Sequence, residues 1–192
     1  MPYSKEHKEK IRKRILSSAR TLFNERGFAQ VSIDEIMAAA GLTRGGFYNH
    51  FPNKEALFVE ALIQFAENRE NNAQMAQASA PEVARSIFQH YVSREHLDDI
   101  GQQCPLMALP SDVYRAGPEV QSAYERVLNA LISVFEGNMR IHRDLPPRET
   151  GLATAAMCVG AMVLARSVDD RALADEIIDA TMAYASTATS LG

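Results

Sequence analysis

The sequence predicts an all-α protein of about nine helices, and three observations support that fold class. Apolar residues recur at helical spacing in almost every segment, and no run alternates between apolar and polar residues as a half-buried strand would. Residues that start or stop helices divide the chain into segments of helical length. The 192 residues are 46% hydrophobic and 23% charged, an ordinary globular composition that excludes a disordered or collagen-like chain.

Three helices are predicted in the N-terminal region. Gly27 and Gly41 are placed to end the first two, because glycine tolerates the left-handed conformation that often follows a helix. Ser32 and Glu35 have the spacing of a capping box, in which each side chain satisfies a backbone N–H of the other, and they start the second helix. Thr43 starts a short third helix. The predicted segments are residues 5–25, 33–40 and 43–51.

Six further helices are predicted in the rest of the chain. Asn53 caps a long helix, and the next two start at Pro81 and Pro105, because proline suits the first helical position. A loop is predicted at residues 98–104, and Gly117–Pro118 breaks the chain again. The last three predicted helices are residues 119–139, 149–167 and 171–189.

The charge of the chain is unevenly divided. The net charge is −4, which alone argues against binding to nucleic acid, but residues 1–55 carry +4 and residues 56–192 carry −8. Six basic side chains on the first predicted helix form either a solvated face or a surface that attracts phosphate: Lys5, Lys8, Lys10, Arg12, Lys13 and Arg14. The asymmetry indicates a nucleic-acid contact at one end of the molecule.

The sequence predicts no metal, no cofactor and no membrane span. Cys104 and Cys158 are too few for a disulfide framework, and the histidines and cysteines lack metal-ligand spacing. Residues 1–14 lack the apolar core of a secretory signal. The most apolar stretch, residues 151–165, is uncharged, but its 15 residues are too few to cross a bilayer. We therefore expect a cytoplasmic protein with no membrane partner.

Residues 31–51 predict a helix-turn-helix, in which a short helix ends in glycine and a tight turn leads into a second short helix. The apolar positions that would lock the two helices together are Ile36, Ala40, Leu42, Phe47 and Phe51. The residues left outward on the second helix are Thr43, Arg44, Gly45, Gly46, Tyr48, Asn49 and His50. Such residues can reach base edges in the major groove of DNA. Two adjacent glycines cost a helix about 1 kcal/mol each, so we expect them to allow another surface, such as a DNA strand, to come close.

This segment resembles the DNA-binding domain of the TetR family of transcriptional repressors. The matching residues are Gly27, Phe28, Ser32, Ile33, Ile36, Ala40, Gly41, Leu42, Thr43, Gly45, Phe47, Tyr48, His50, Phe51, Lys54 and Leu57. The resemblance implies a three-helix DNA-binding domain, residues 1–52, joined to a helical ligand-binding and dimerisation domain, residues 53–192. It implies a dimeric repressor that a small-molecule effector releases from its operator, and not an enzyme. Gly46 departs from the family pattern, which more often has Thr, Ser or Ala there.

The resemblance also implies which residues meet DNA: Ser32, Thr43, Arg44, Gly45, Tyr48, Asn49, His50 and Lys54. Arg44, with Gly45 beside it, is expected to read a base, because arginine pairs with guanine O6 and N7 through two hydrogen bonds. Phosphate contacts are expected from Ser32, Thr43, Tyr48, His50 and Lys54. Purely structural alternatives stay open for three of these residues. Without any DNA contact, Ser32 could act as a helix cap, Tyr48 could complete the core and His50 could be an ordinary surface residue.

The apolar stretch 151–165 also predicts how the body assembles. A helix that is apolar on nearly all faces needs a second partner besides its own core. Small residues at Gly151, Ala155, Gly160 and Ala161 permit close helix approach. The simplest solution is a two-fold homodimer through the last two helices, and the alternative is a monomer that buries this helix internally.

Aromatic and sulfur-containing side chains mark a candidate effector pocket: Phe65, Phe88, Tyr91, Cys104, Met107, Tyr124 and Phe135, with Tyr114 and Met139 on the same predicted helices. Such residues more often form a core, and that alternative stays open. The sequence has no tight cluster of arginines or carboxylates that would suggest a charged ligand, so an apolar or aromatic effector is favoured.

Three other readings of the chain remain. Cys104 precedes Pro105, so it would lie at a helix N-terminus, where a thiol becomes more reactive, and it could sense oxidants or electrophiles. An all-α enzyme is a second alternative, although the acidic pairs at 98–99 and 169–170 lack the spacing of a di-metal site. The third is an architectural DNA-binding protein without an effector.

Overall fold

The computed structural model describes residues 5–75, 80–136, 138–139 and 145–190, and the side chains of residues 69–80 and 187–190 lie outside this description. Every regular element in these ranges is helical, which confirms the all-α prediction. The α-helices are α1 (Lys5–Arg26), α2 (Ile33–Ala39), α3 (Lys54–Met75), α4 (Ala80–Tyr91), α5 (Arg94–Asp98), α6 (Pro105–Ala108), α7 (Pro110–Arg115), α8 (Pro118–Phe135), α9 (Pro147–Ser167) and α10 (Arg171–Ser190). Two 3-10 helices are Arg44–Asn49 and Ile100–Gln102.

The described part of the chain has more helices than the nine predicted, and the excess lies before residue 116. The predicted loop at residues 98–104 contains the end of α5 and the 3-10 helix Ile100–Gln102. Proline stands at the first helical position of both α6 and α7. Helices of three to six residues are too short to show a helical period, which is why pattern analysis missed them.

The described helices belong to two compact units. Unit 1 contains Met1–Phe65 and Ile100–Glu125, and unit 2 contains Ala66–Asp99 and Arg126–Gly192. Helices α3 and α8 each contribute residues to both units. The boundary predicted between residues 52 and 53 separates DNA binding from ligand binding and dimerisation, whereas these units are groups of residues in contact. The predicted boundary therefore stays a prediction.

An aromatic cluster forms part of the core of unit 1. The ring of Phe23 lies 5.4 Å from that of Phe28 and 5.2 Å from that of Phe58, and the rings of Phe28 and Phe58 stack at 4.7 Å. Ile15 on α1 and Leu57 on α3 are fully buried beside the same helices' aromatic residues. Each such side chain contributes about 1.5–3 kcal/mol through burial, so the cluster fixes α3 against α1.

A buried asparagine ties the segment Ile100–Gln103 to α1 within unit 1. Asn24 donates from Nδ2 to the carbonyl oxygens of Gly101 at 3.2 Å and Gln103 at 2.8 Å. Arg20 also donates to the side-chain oxygen of Gln102. Buried polar groups need such partners, so these bonds hold part of the predicted body in the same unit as the helix-turn-helix.

In unit 2 a glycine allows α9 to approach α8 closely. A Cβ added at Gly151 would lie 2.9 Å from the carbonyl oxygen of Ile132, a distance that real side chains essentially never show. Cys158 and Met162 continue the buried face of α9. Phe88 of α4 and Phe135 of α8 pack edge to face at 6.3 Å between ring centres. Close backbone contact and aromatic packing therefore build this core.

Helix α9 is longer than the apolar stretch seen in the sequence. It spans 21 residues, and an 18-residue window within it has a mean hydropathy of 1.3, so by length and composition alone it could cross a membrane. The length of the uncharged stretch 151–165 therefore does not by itself describe the whole helix, which also includes charged residues at its two ends. The core helices of soluble proteins pass the same test, and 44% of that window is buried inside the protein, so one such helix is weak evidence for a membrane span.

The turn after α2 sets the direction in which the chain enters Arg44–Asn49. Gly41 adopts a φ of +65°. Its N–H donates to the carbonyl of Ala38 at 2.9 Å, and the N–H of Leu42 donates to the carbonyl of Met37 at 2.8 Å. The two bonds form a Schellman motif, which satisfies carbonyls at the end of the helix and requires the left-handed conformation that glycine adopts most readily.

Neither the backbone conformation nor the packing at positions 45 and 46 requires glycine. Neither has a positive φ. A Cβ added at Gly45 meets no atom within 4 Å, and one at Gly46 meets only Met37 Cε at 3.6 Å, an ordinary contact. The packing of the described residues therefore does not require these two glycines.

We expect the two kinds of glycine to respond oppositely to alanine. Gly41→Ala should lower the free energy of unfolding by about 1–2 kcal/mol, because alanine is strained at positive φ. Its Cβ would also lie 3.1 Å from Arg14 Nη2. Gly45→Ala should leave stability unchanged or raise it by up to about 1 kcal/mol. Urea unfolding followed by circular dichroism measures both, and equal losses would contradict the assignment.

Candidate nucleic-acid interface

Helix α2 begins with the predicted capping box. The Ser32 hydroxyl accepts from the N–H of Glu35 at 3.2 Å, and the Glu35 carboxylate accepts from the N–H of Ser32 at 2.8 Å. Arg26 donates to the same carboxylate at 2.7 Å. Hydrogen bonds from the Ser32 side chain and backbone, and then from Arg26, lower the pKa of Glu35 to about 2. The start of α2 is thereby fixed with its carboxylate charged.

The second element of the helix-turn-helix, Arg44–Asn49, is anchored by Phe47. Phe47 and Phe51 are buried together with Ile36 and Ala40, as the sequence predicts. Leu42 is only half-buried. The rings of Phe47 and Phe51 lie 5.8 Å apart. A single buried aromatic in a six-residue segment fixes which side of it faces the protein.

The opposite side of Arg44–Asn49 is open. Five of the predicted DNA-binding residues in this segment and its N-cap are exposed: Thr43, Arg44, Gly45, Tyr48 and Asn49. Thr43 occupies the N-cap position without a capping hydrogen bond from its side chain. Tyr48 is 59% exposed and meets Phe47 edge to face, so it does not complete the core.

Arg44 forms an ion pair across the helix-turn-helix. Its Nη1 donates to Oδ2 of Asp34 at 2.7 Å, and both side chains remain largely exposed. Asp34 lies in the first turn of α2, where a carboxylate is favoured by the helix dipole. Sequence analysis missed this aspartate, although an acid and an arginine on opposite sides of a short turn were the available signal.

Lys54 has a structural role beside its predicted one. Its Nζ donates to the carbonyl oxygens of Phe28 and Val31, each at 2.8 Å, and lies 4.3 Å from the ring centre of Phe28. Partial burial lowers the pKa of Lys54 despite the opposing charges of Asp112 and Glu35. An ammonium has three N–H donors, so one remains for another acceptor.

His50 lies at the end of the segment beside two basic residues of α1. Partial burial, followed by the charges of Arg12 and Lys8, lowers the pKa of His50. Its imidazole is therefore neutral near pH 7 and offers a hydrogen bond rather than a charge. Arg12 donates to the backbone carbonyl of His50 and also pairs with Glu60. Its guanidinium lies 4.1 Å from the ring centre of Phe51.

The six basic side chains singled out near the start of α1 divide into two groups. Arg12 and Arg14 are engaged within unit 1, Arg14 through the carbonyl of Ala40. The lysines are exposed: Lys5, Lys8, Lys10 and Lys13. Lys8 also lines a cleft of about 390 Å³ together with Thr43, Asn49 and His50. The cleft brings predicted phosphate-binding residues next to basic charge.

The candidate effector residues fall into both units. Phe65, Cys104, Met107 and Tyr124 belong to unit 1, and Phe88, Tyr91 and Phe135 belong to unit 2. Of the two further candidates, Tyr114 is exposed and Met139 is buried. The packing within each unit shows core positions for most of these side chains, which was the alternative that the sequence left open.

Cys104 lies where the sequence places it, directly before α6, but it is only 1% exposed. The hydroxyl of Tyr124 donates to the carbonyl of Leu106 at 3.0 Å. Burial, and then the proximity of Cys104, raise the pKa of Tyr124 to about 12. The thiol and phenol are therefore part of a packed region of unit 1.

Comparison with known proteins identifies the family. Residues 15–61 match the family model for bacterial regulatory proteins of the tetR family. The chain is 30% identical to the HTH-type transcriptional repressor DhaR of Mycobacterium sp. (strain GP1) over 148 residues, 71% of this chain and 73% of that protein.

Two solved structures share the fold. Reduced NemR of E. coli superposes with a TM-score of 0.74 at 19% identity, covering 92% of this chain and 95% of that one. A TetR-family regulator from Agrobacterium tumefaciens superposes at 0.71 and 22% identity, covering 90% and 95%. With the helix-turn-helix described above, these findings show that the chain belongs to the TetR family and is a helix-turn-helix transcriptional regulator.

Proposed function

We propose that this regulator is a dimeric repressor that places Arg44–Asn49 in the major groove of its operator and leaves the DNA when a small-molecule effector binds. The observation that carries the proposal is the division of this segment into two sides. Phe47 is buried against the protein, while Thr43, Arg44, Tyr48 and Asn49 are exposed. An anchored segment with an open polar side is what reading of base edges requires.

Arg44 is the base reader in this proposal. It is the only guanidinium in the segment, and its planar fork matches the O6 and N7 acceptors of guanine. Gly45 and Gly46 support close approach, because neither is needed for internal packing. A backbone without side chains at these two positions lets a DNA strand come nearer than an alanine would allow.

The remaining predicted residues hold the phosphate backbone. Thr43, Tyr48 and His50 offer neutral hydrogen-bonding groups, and Ser32 would redirect to phosphate the hydroxyl proton that it donates to Glu35. Among the described residues Lys54 uses two of its three N–H donors, which leaves one for a phosphate oxygen. Asn49 completes the predicted set beside the cleft. The exposed lysines of α1 add positive charge that attracts phosphate at a distance. These contacts position the protein without reading sequence.

We infer that the homodimer forms through α9 and α10, because each leaves an apolar face exposed. On α9 that face is uncharged over three turns: Leu152, Ala153, Ala156, Gly160 and Leu164 are exposed. On α10 the exposed apolar residues include Leu173, Ala180 and Tyr184. A Cβ at Gly160 meets no atom within 4 Å, so this glycine is available for close approach of a second helix. Contiguous exposed apolar surface of this kind marks an interface.

The effector acts, in this proposal, on the helical region of residues 53–192. Buried aromatic residues of unit 2, Phe88 and Phe135, favour an apolar or aromatic ligand. Because α3 contains residues of both units and begins with Lys54, movement of α3 would reach the carbonyls of Phe28 and Val31. The effector must bind the DNA-free geometry more tightly, or it shifts nothing.

The regulator works without catalysis, and we place it in the cytoplasm, where its operator lies. Sensing of oxidants or electrophiles through Cys104 is the alternative. The 1% exposure of Cys104 disfavours it, because reactive cysteines are partly exposed.

Two variants separate base reading from phosphate attraction. Arg44→Ala should weaken operator binding about 5- to 150-fold for each half-site, from about 1–3 kcal/mol per bidentate contact, and the dimer loses this contact in both half-sites. Binding to random-sequence DNA should weaken far less. Lys8→Ala, at an exposed lysine, should weaken both equally and reduce the slope of log K against log salt by about 0.9 per protomer. Fluorescence anisotropy over a range of salt measures both. Equal losses on the two DNAs for Arg44→Ala would refute the assigned role.

A matched pair of leucine variants tests the dimer. Leu164→Glu places a charge on the exposed face of α9, at a position 59% exposed in the protomer, and should give the 21.2 kDa monomer in light scattering with loss of operator binding. Leu145→Glu makes the same change at a 38% exposed leucine that precedes α9, and should stay dimeric. A dimeric Leu164→Glu protein would exclude this interface.

A further inference from the structure

The pair between Asp34 and Arg44 joins the two elements of the helix-turn-helix. Asp34 lies in the first turn of α2 and Arg44 is the first residue of Arg44–Asn49, so the 2.7 Å bond from Nη1 to Oδ2 spans the turn at Gly41. The side chains are 64% exposed for Arg44 and 54% for Asp34. An exposed ion pair of this kind contributes little to the stability of the fold, and it leaves the other N–H donors of Arg44 accessible to solvent.

Only one corner of the Arg44 guanidinium is used. Among the described residues, its one hydrogen-bond partner is Asp34, through Nη1. A guanidinium carries five N–H donors in a planar fork, so the edge formed by Nε and Nη2 stays available. That edge can make two parallel hydrogen bonds while Nη1 keeps its bond to Asp34.

We propose that Asp34 is a specificity-determining residue, which positions Arg44 for a base and withholds its charge from phosphate. The inference rests on the proposed role of Arg44 as base reader. Asp34 acts through Arg44, and it adds a negative charge on the exposed surface that a phosphate backbone would meet.

On DNA of random sequence the pair reduces attraction. The charge of Arg44 is neutralised in the ion pair, and the Asp34 carboxylate repels the phosphates. Each helix-turn-helix, called a head below, therefore gains less binding free energy from the release of counterions. On the operator the pair adds order. The planar edge of Arg44 is held facing outward before binding, and less side-chain freedom is lost when it meets guanine. The same carboxylate thus lowers binding to the wrong DNA and supports binding to the right one, which is how specificity is commonly built.

The test compares three variants of the full-length protein on an operator selected from a random DNA pool and on random-sequence DNA. Asp34→Asn removes the charge and keeps the side-chain size. Glu9→Gln makes the same charge change at an exposed glutamate of α1 and is the matched control. The double variant Asp34→Asn with Arg44→Ala asks whether the effect passes through Arg44. Thermal unfolding of each variant confirms the fold.

We expect Asp34→Asn to bind random DNA about fivefold more tightly for each helix-turn-helix engaged, or about 25-fold for a dimer that engages both. Fivefold is the average gain per phosphate when non-specific affinity is spread over six to ten contacts. For this variant the slope of log K against log salt on random DNA should steepen by about 0.9 per head. Its affinity for the operator should not exceed that of the Glu9→Gln control. The gain on random DNA should vanish in the double variant.

Two results would overturn the inference separately from the proposed function. If Arg44→Ala weakens operator binding selectively, but Asp34→Asn behaves like Glu9→Gln on both DNAs, Asp34 has no such role while Arg44 remains the reader. A gain on random DNA that persists in the double variant would likewise show that Asp34 acts through its own charge alone. If Arg44→Ala weakens both DNAs equally, the base reader itself is refuted, and the inference falls with it.

Discussion

The buried ring of Phe47 and the left-handed turn at Gly41 are the constraints on which the proposed DNA-facing surface depends. The turn directs the chain out of α2 through the paired bonds of Gly41 and Leu42, and Phe47 then fixes the rotation of a six-residue segment. A segment this short has little stability of its own, because helix nucleation costs more than a few hydrogen bonds return. The positions of Thr43, Arg44 and Tyr48 therefore follow from packing and not from helical propensity.

Several polar groups near the DNA-facing surface hold the fold and leave capacity for DNA. Ser32 caps α2, Lys54 binds two carbonyls, and Arg44 pairs with Asp34. Each arrangement satisfies the polar group in the free protein, yet none is deeply buried. In this account Arg44 and Lys54 bind DNA without giving up these contacts, because each has N–H donors beyond those used within the described part of the protein. A free protein that is already satisfied, and whose charges are partly neutralised, has less attraction for DNA of any sequence.

Sequence analysis could predict the parts of this structure that are set locally. Capping at Ser32 and Glu35, the stop at Gly41, and the buried positions of Phe47 and Phe51 follow from residue spacing and backbone conformation. It missed interactions between residues distant in the chain. The bonds from Asn24 to Gly101 and Gln103, which bring residues 100–125 into unit 1, and the Asp34–Arg44 pair have no periodic pattern. Burial of Cys104 likewise depends on packing that local sequence does not encode.

The central claim is that Arg44 reads a guanine in each half of a symmetric operator. Selection of bound DNA from a random pool, followed by protection of guanine N7 from methylation, measures this directly. The account predicts a palindromic sequence with half-sites about one helical turn or a multiple of it apart, and one protected guanine in each that loses protection when Arg44 is replaced by alanine. A bound sequence without symmetry, or guanine protection that survives the loss of Arg44, would contradict it.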